Sequence, residues 1–363
     1  MNDKLNAICP YFAMFPLDYP LGIMHKYGGK SVLDPFCGRG TANLAARLNG
    51  AFTVGIDSSP VAFSVSQSKM VNADPERIVS ECEWILSTTA ASDIPDGEFW
   101  SMMYDHSVLK DVCAVRESLL EDCSSPERIA LRGIVMGALH GPLHKDGSTS
   151  YLSNQFPRTF ASKPDYSVKF WKEKGLINPP KVSLTDIVKS RARRYYSDVL
   201  PDSGGSIFNG DSTDKMTFSM VEDSIGDRRF DLVVTSPPYI GMHTYIPDQW
   251  IRNWFVGGPS YVDYGCKGQI RYGAKKFIEE VSKVWKNCED VCNDGATIAV
   301  RFGCIGSYDE DPVETINRTF DSTSWVDIGI SDAGIPKKGR RQSDVFNTQT
   351  KKYNEIDIVA SLG

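Results

Sequence analysis

The sequence predicts an α/β protein with a doubly wound sheet, in which helices cover both faces of mostly parallel strands. Three observations lead to this prediction. The apolar segment 31–34 is followed by a glycine-containing turn and by apolar residues at helical spacing over 41–48, which is the order of a nucleotide-binding strand, turn and helix. The segment 51–56 is a second strand, and it ends in Asp57, about twenty residues beyond the turn. The segment 230–234 is an apolar run typical of a buried strand.

The remaining elements follow from local patterns. The predicted helix at 274–290 has apolar residues on one face, and the segment after it is a buried strand. No helix separates the last two strand-like segments, which predicts an antiparallel pair at the edge of the sheet. In chain order these elements are a helix at 60–70, a strand at 206–209, a helix at 274–290, a strand at 296–300, a helix at 312–320, and strands at 324–331 and 355–361.

A long interval separates the two halves of the predicted sheet. With 363 residues, 41% of them apolar, the chain is long enough for about two compact units. We therefore divide it into a sheet domain of residues 1–75 and 205–363 and an insertion of residues 76–204. The insertion contains an apolar helix at 127–140, followed by a stretch rich in Gly, Ser, Pro and aromatic residues.

Basic residues are concentrated in the insertion. The whole chain has a net charge of −6, but residues 151–200 contain ten Lys or Arg against four acidic residues, interleaved with aromatic side chains. This composition fits a segment that faces nucleic acid, and it equally fits a solvated helical face. A second basic cluster lies between the last two predicted strands. The candidate nucleic-acid contacts are Arg158, Lys163, Lys169, Arg191, Arg193, Arg194, Lys337 and Arg340.

Composition also narrows the cellular setting and the chemistry. The chain has no run of about eighteen apolar residues and no secretion signal, so we expect a cytoplasmic protein. Its nine cysteines, an odd number without a CxxC pair, argue against a disulfide framework. Two pairs, His140 with His144 and Cys288 with Cys292, have the spacing of half a metal site. Neither has evident partners, so no metal is expected.

A rigid polar corner follows the strand at 230–234, and its residues are Thr235, Ser236, Pro237, Pro238 and Tyr239. The two prolines remove two backbone donors, which leaves neighbouring carbonyls free to accept hydrogen bonds from a substrate amino group. Tyr239 offers a flat face for stacking, and open α/β sheets bind ligands at the carboxyl ends of their strands. The corner therefore suits a planar base with an exocyclic amine. Taken alone, it also fits a proline-rich turn.

The turn after the first strand reads DPFCGRGT over 34–41. Its glycines let the backbone approach a ligand closely, and the helix that follows presents unpaired N–H groups. It lacks the complete GxGxxG pattern and the lysine of a phosphate-binding loop, so a triphosphate fits poorly. Asp57, at the end of the second strand, is placed to accept hydrogen bonds from ribose hydroxyls, although Asp57 or Ser58 could also cap the helix that begins near Pro60.

Together, DPFCGRGT and TSPPY resemble the cofactor and catalytic motifs of the amino-group DNA methyltransferases that use S-adenosylmethionine, and Ser236 makes the corner most similar to the N4-cytosine branch. The resemblance covers roughly residues 10–75 and 205–363. It implies a Rossmann-like methyltransferase sheet with an antiparallel last strand, and a target-recognition role for the insertion. It also implies flipping of a cytosine out of double-stranded DNA and methylation of its N4 amine, with a cognate restriction endonuclease as a partner. The implied site residues are Ser236, Pro237, Pro238 and Tyr239 for catalysis, and Tyr11, Phe15, Asp34, Phe36, Gly38, Gly40, Thr41, Asp57, Ser58, Asp211 and Thr235 for the cofactor.

Four alternatives stay open at this point. N6-adenine methylation alkylates an exocyclic amine in similar geometry, and an RNA methyltransferase agrees better with the acidic net charge. A non-catalytic nucleic-acid-binding protein could keep the same fold. A dinucleotide-dependent oxidoreductase leaves the Ser-Pro-Pro-Tyr sequence unexplained.

Methylation of carbon 5 of cytosine is a different reaction, which needs a cysteine nucleophile beside the corner. Cys37 lies in the glycine turn and is a poor candidate for that role.

Overall fold

The computed structural model describes residues 4–11, 15–144, 148–156, 161–238, 245–264, 273–303, 311–334 and 355–363. The chain divides into two compact units. The sheet unit comprises residues 11–66, 200–243 and 267–363, and the helical unit comprises residues 1–10, 67–199 and 244–266.

The described part of the chain contains seven strands and fourteen α-helices. The strands are β1 (Ser31–Asp34), β2 (Phe52–Asp57), β3 (Gly205–Asn209), β4 (Phe230–Thr235), β5 (Cys292–Phe302), β6 (Trp325–Gly334) and β7 (Glu355–Leu362). The helices are α1 (Asp18–Tyr27), α2 (Thr41–Leu48), α3 (Pro60–Ser68), α4 (Pro75–Thr88), α5 (Glu98–Met103), α6 (His106–Glu121), α7 (Pro126–Ala138), α8 (Pro164–Glu173), α9 (Leu184–Tyr195), α10 (Lys215–Ile225), α11 (Tyr245–Asp248), α12 (Trp250–Phe255), α13 (Ala274–Glu289) and α14 (Pro312–Arg318).

The seven strands form one sheet in the order β3-β2-β1-β4-β5-β7-β6. The strands from β3 to β5 in this order are parallel to one another. β7 is antiparallel to both β5 and β6. The predicted fold class is therefore confirmed, including the antiparallel pair at one edge. The strand predicted at 296–300 is longer in the structure, where β5 includes a polar, exposed start at Asn293 and Asp294 that interrupts the apolar pattern.

The central strands β1, β2 and β4 are buried on both faces, as a doubly wound arrangement requires. Successive residues of β1 point to opposite faces, so Leu33 belongs to one apolar core and Val32 to the other. The core around Leu33 includes Phe277 and Trp285 of α13, and the core around Val32 includes the alanines of α2.

The helical unit is held together by an aromatic cluster. The ring centroid of Trp100 lies 4.7 Å from that of Trp254 and 5.7 Å from that of Trp250, and Phe99 contacts Trp171 at 5.6 Å. Residues 244–266 belong to the helical unit, whereas the predicted boundaries place them in the sheet domain. Among the described helices, none is long and apolar enough to cross a membrane.

Candidate active site

The carboxyl ends of β1, β2 and β4 bring the two sequence motifs to one edge of the sheet unit. β1 pairs with β2 on one side and with β4 on the other, so the strand order reverses its direction between β1 and β4. Open α/β sheets bind their ligands at such a switch point. Asp34 ends β1, Asp57 ends β2 and Thr235 ends β4.

The Asp34 carboxylate connects the glycine turn to the polar corner. It is 1% exposed, and its Oδ1 accepts hydrogen bonds from the Phe36 N–H at 3.1 Å and from the Thr235 hydroxyl at 2.6 Å. Burial raises the pKa of Asp34 to about 7, although both hydrogen bonds act in the opposite direction. The bond to Thr235 spans 201 positions of sequence and fixes the start of the corner beside the turn.

Asp57 organises the turn on the other side. Its Oδ2 accepts a hydrogen bond from the Gly38 N–H and its Oδ1 accepts one from the Ser59 N–H, both at 2.9 Å. Burial raises the pKa of Asp57 to about 6, and these two bonds partly offset that rise. Each carboxylate oxygen keeps acceptor capacity beyond the bond it makes to the backbone. Asp57 can therefore hold the loop and a ligand at the same time.

The glycine turn itself is tightly folded. Gly40 has φ 71°, and a Cβ at this position would lie 2.9 Å from the Cβ of Ser66. The Ser66 hydroxyl donates to the carbonyl of Gly38 at 2.8 Å and fixes the loop against α3. No side chain caps the start of α2, and the buried Thr41 hydroxyl has no hydrogen-bond partner in the described part of the chain. The first turn of α2 therefore retains donors for a ligand.

Other predicted cofactor residues lie around this edge. Tyr11 places its ring edge 3.7 Å from where a Cβ on Gly38 would lie, and Phe15 is buried. Asp211 is exposed after β3, where its Oδ1 accepts two hydrogen bonds from Thr213. Ser58 is exposed between Asp57 and Ser59, and the Phe36 ring stands edge-on to Trp285 with centroids 6.2 Å apart. Their roles towards a cofactor stay predictions.

The polar corner is described as far as Pro238. Ser236 and Pro238 are half-buried, and Pro237 is buried. Tyr239, the predicted stacking surface, lies outside the described residues. The corner follows Thr235, which pairs with Val300 of the neighbouring parallel strand β5.

One part of this region was not predicted. Arg301 of β5 forms a bidentate ion pair with Asp357 of β7, with both N–O distances 2.7 Å, and its guanidinium carbon lies 3.7 Å from the ring centroid of Tyr19. The Tyr19 hydroxyl is buried and has no hydrogen-bond partner among the described residues. The sequence carries no signal for this group, because it depends on the register between β5 and β7.

Most of the basic side chains predicted to bind nucleic acid interact with other residues of the helical unit. Lys163 bonds to Asp248 at 3.0 Å, Arg193 to Glu76 at 2.8 Å, and Arg191 to the carbonyl of Ser150 at 2.9 Å. Lys169 lies 3.8 Å from Glu173, and the Arg194 guanidinium lies 5.4 Å from the Tyr195 ring centroid. The remaining candidates, Arg158, Lys337 and Arg340, lie outside the described residues.

The raised pKa of Asp34 predicts a pH-dependent stability. Between about pH 4 and pH 7 the folded state binds more protons at this carboxyl than the unfolded chain, so this carboxyl lowers stability progressively as pH rises. Asp34→Asn keeps an acceptor at Oδ1 and removes the titration. Urea unfolding should show the stability of the wild type falling relative to Asp34→Asn from pH 4 to pH 7 and levelling off above. A pH-independent difference contradicts the assignment.

The chain has a weak structural likeness to solved methyltransferases. No family model and no curated protein matches the sequence. The rRNA methyltransferase aviRa of Streptomyces viridochromogenes aligns in two structures with TM-scores of 0.38 and identities of 11% and 9%, covering 100% of this chain and 93% of that chain. Phosphoethanolamine N-methyltransferase 1 of Haemonchus contortus aligns with a TM-score of 0.20 and 9% identity, covering 99% of this chain and 90% of that chain. At such TM-scores these likenesses support no conclusion about the chemistry of this chain.

Proposed function

We propose that the protein transfers the methyl group of S-adenosylmethionine to the exocyclic N4 amine of cytosine in double-stranded DNA. The observation that carries the proposal is the buried hydrogen bond from Thr235 to Asp34. Reacting atoms must approach to about 3–3.5 Å, so the binding sites for methyl donor and acceptor must adjoin. This bond holds the glycine turn and the TSPPY corner together at the ends of the adjacent strands β1 and β4. Neighbouring strands of a sheet lie about 4.8 Å apart.

The residues of the glycine turn fit this cofactor, which when bound supplies an activated methyl group on a sulfonium. Asp57 keeps acceptor capacity for the ribose hydroxyls while it binds the backbone of the turn. The unpartnered Thr41 hydroxyl and the uncapped start of α2 offer donors to the methionine carboxylate. Asp211, exposed beyond β3, is the proposed partner of the adenine amine.

The corner residues position the target amine. The exocyclic nitrogen of cytosine is a weak nucleophile because its lone pair is delocalised into the ring. In the proposed mechanism the Ser236 hydroxyl and the Pro237 carbonyl accept hydrogen bonds from the amine and orient its lone pair towards the methyl group, while Tyr239 stacks on the flipped base. No covalent intermediate with the protein is needed.

The proposed partner is duplex DNA, in contact with the basic residues of the insertion. Those residues are also engaged with Asp248, Glu76 and the backbone, so they would have to exchange or extend these contacts when DNA binds. A cognate restriction endonuclease is proposed as a second partner. Protection of methylated DNA from that nuclease would be its assay.

The direct test uses the purified chain with S-adenosylmethionine and unmethylated genomic DNA. After digestion to nucleosides, mass spectrometry should detect N4-methylcytosine. N6-methyladenine would keep the mechanism and change the base. Methylation of RNA alone, or cofactor binding without any methylated product, would overturn the proposal in favour of an RNA enzyme or a binding protein.

Ser236→Ala should lower the turnover number by about tenfold or more, because one hydrogen bond to the reacting amine is lost. The Michaelis constant for S-adenosylmethionine should change little. Ser219→Ala, which removes an exposed hydroxyl on α10, is the matched control and should behave as the wild type. Weakened cofactor binding in Ser236→Ala would instead give the corner a structural role.

A further inference from the structure

Arg301 lies beside the polar corner at the carboxyl edge of the sheet unit. β4 and β5 are parallel neighbours, and Thr235, the last residue of β4, pairs with Val300. Arg301 follows Val300 as Ser236 follows Thr235, so the same register brings Arg301 next to Ser236. Neighbouring strands lie about 4.8 Å apart. Arg301 is therefore one strand away from the residue proposed to bind the target amine.

Two neighbours fix the guanidinium of Arg301. Its Nε and Nη2 donate to the two carboxylate oxygens of Asp357, both at 2.7 Å. Its central carbon lies 3.7 Å from the ring centroid of Tyr19, which is 8% exposed and belongs to the first turn of α1. A bidentate ion pair and a stacked ring together determine the plane of a guanidinium. The third nitrogen, Nη1, is therefore held in a fixed orientation.

Nη1 of Arg301 keeps its two N–H donors for a ligand. Neither hydrogen bond of this guanidinium to the described residues uses Nη1. This atom is also not among the buried unpaired atoms of the described residues, so solvent reaches it. The Asp357 carboxylate balances the charge of the guanidinium and would repel a phosphate. Nη1 therefore suits an uncharged acceptor such as a carbonyl oxygen.

We propose that Arg301 Nη1 donates a hydrogen bond to the O2 carbonyl oxygen of the flipped cytosine and thereby selects cytosine over adenine. This contact presupposes the methyl transfer proposed above. Cytosine has its amine at one end of its hydrogen-bonding edge and O2 at the other, so Ser236 and Arg301 on adjacent strands can each hold one end. Adenine has no carbonyl oxygen, and its binding would leave the Nη1 donors without an acceptor.

A base analogue that lacks O2 tests this contact. One synthetic duplex contains a target cytosine from a sequence that the wild type methylates. In a second duplex the C-nucleoside of 2-aminopyridine replaces this cytosine. The analogue keeps the amine and the neighbouring ring nitrogen, and it has C–H in place of the carbonyl. The measured quantity is the selectivity, which is the specificity constant for cytosine divided by that for the analogue.

The wild type should have a selectivity about tenfold or more above that of Arg301→Met, because one hydrogen bond distinguishes the two bases. The difference in intrinsic reactivity between the two amines cancels in this comparison. Arg301→Lys should lose the selectivity as well, since its single nitrogen cannot serve both Asp357 and O2. It keeps the charge opposite Asp357, which covers the case that Arg301→Met does not fold. Arg318→Met, which removes an exposed arginine of α14, is the matched control and should keep the selectivity of the wild type.

The possible results separate this contact from the methyl transfer on which it rests. Wild-type selectivity in Arg301→Lys would overturn the contact and leave cytosine methylation intact. An equal loss on both duplexes in Arg301→Met would overturn it too, because Arg301 would then act on DNA away from O2. If the wild type forms no N4-methylcytosine in any DNA, the proposed function fails, and the contact fails with it.

Discussion

Asp57→Ala should raise the Michaelis constant for S-adenosylmethionine by about a hundredfold and reduce turnover at saturation much less. A hydrogen bond to a charged group contributes about 1.5–3 kcal/mol, and two ribose hydroxyls would lose such bonds. The structure adds a second reason, because the same carboxylate accepts from the N–H groups of Gly38 and Ser59. Removing it releases the turn as well as the ligand. Initial rates at varied cofactor concentration, with DNA in excess, separate the two constants.

Two variants make this result interpretable. Asp57→Asn keeps the shape and loses the charge, so its Michaelis constant should fall between those of the wild type and Asp57→Ala. Asp74→Ala removes another aspartate that caps a helix, α4 in the helical unit, and should cost about 1 kcal/mol of stability without affecting the cofactor. Equal losses in turnover and in the specificity constant for Asp57→Ala, with an unchanged Michaelis constant, would exclude Asp57 as a ribose ligand.

Gly205→Ala should destabilise the sheet unit by about 3 kcal/mol or more. Gly205 starts β3 with φ 114°, and a Cβ there would lie 1.8 Å from the carbonyl oxygen of Thr53 in β2. Positive φ costs a non-glycine residue about 1–2 kcal/mol, and overpacking against backbone typically adds about 1–3 kcal/mol. Urea unfolding measures the sum.

Gly204→Ala is the matched control for this prediction. Gly204 also has positive φ, 71°, but the nearest atom to its Cβ would be in the Phe52 ring at 3.4 Å. It should therefore show the conformational cost of about 1–2 kcal/mol without the clash. If both variants lose the same free energy of unfolding, β2 and β3 accommodate the added Cβ without a steric cost, and the predicted clash at Gly205 is wrong.

Local sequence patterns predicted the frame of the sheet because each pattern depends on neighbouring residues. The apolar run before Asp34 and the glycine turn after it lie in the structure where they were expected. The strand at 296–300 was predicted too short, since Asn293 and Asp294 look like a loop in sequence although they extend β5. Asp57 was predicted as a ligand or a cap, and the structure shows it bonded to the backbone on both sides.

Long-range pairing accounts for what the sequence did not predict. The bond between Asp34 and Thr235 and the ion pair between Arg301 and Asp357 join residues far apart in sequence, through the order and register of strands. Trp254 belongs to the helical unit, where its ring contacts Trp100, and no periodicity indicates this contact. Short-range periodicity predicts elements, whereas these contacts depend on how the elements are arranged.

The position of β7 has a consequence for synthesis on the ribosome. β7 follows β6 in sequence, yet it lies between β5 and β6, so among the described strands β6 joins the sheet only through β7. Until β7 has left the exit tunnel, the nascent chain therefore exposes β5 as an open edge, and Arg301 has not yet met Asp357. The parallel strands β1 to β5 can pair earlier, but completion of the sheet waits until β7 has been made. Unpaired strand edges favour aggregation, so the unfinished chain is exposed to it during this interval.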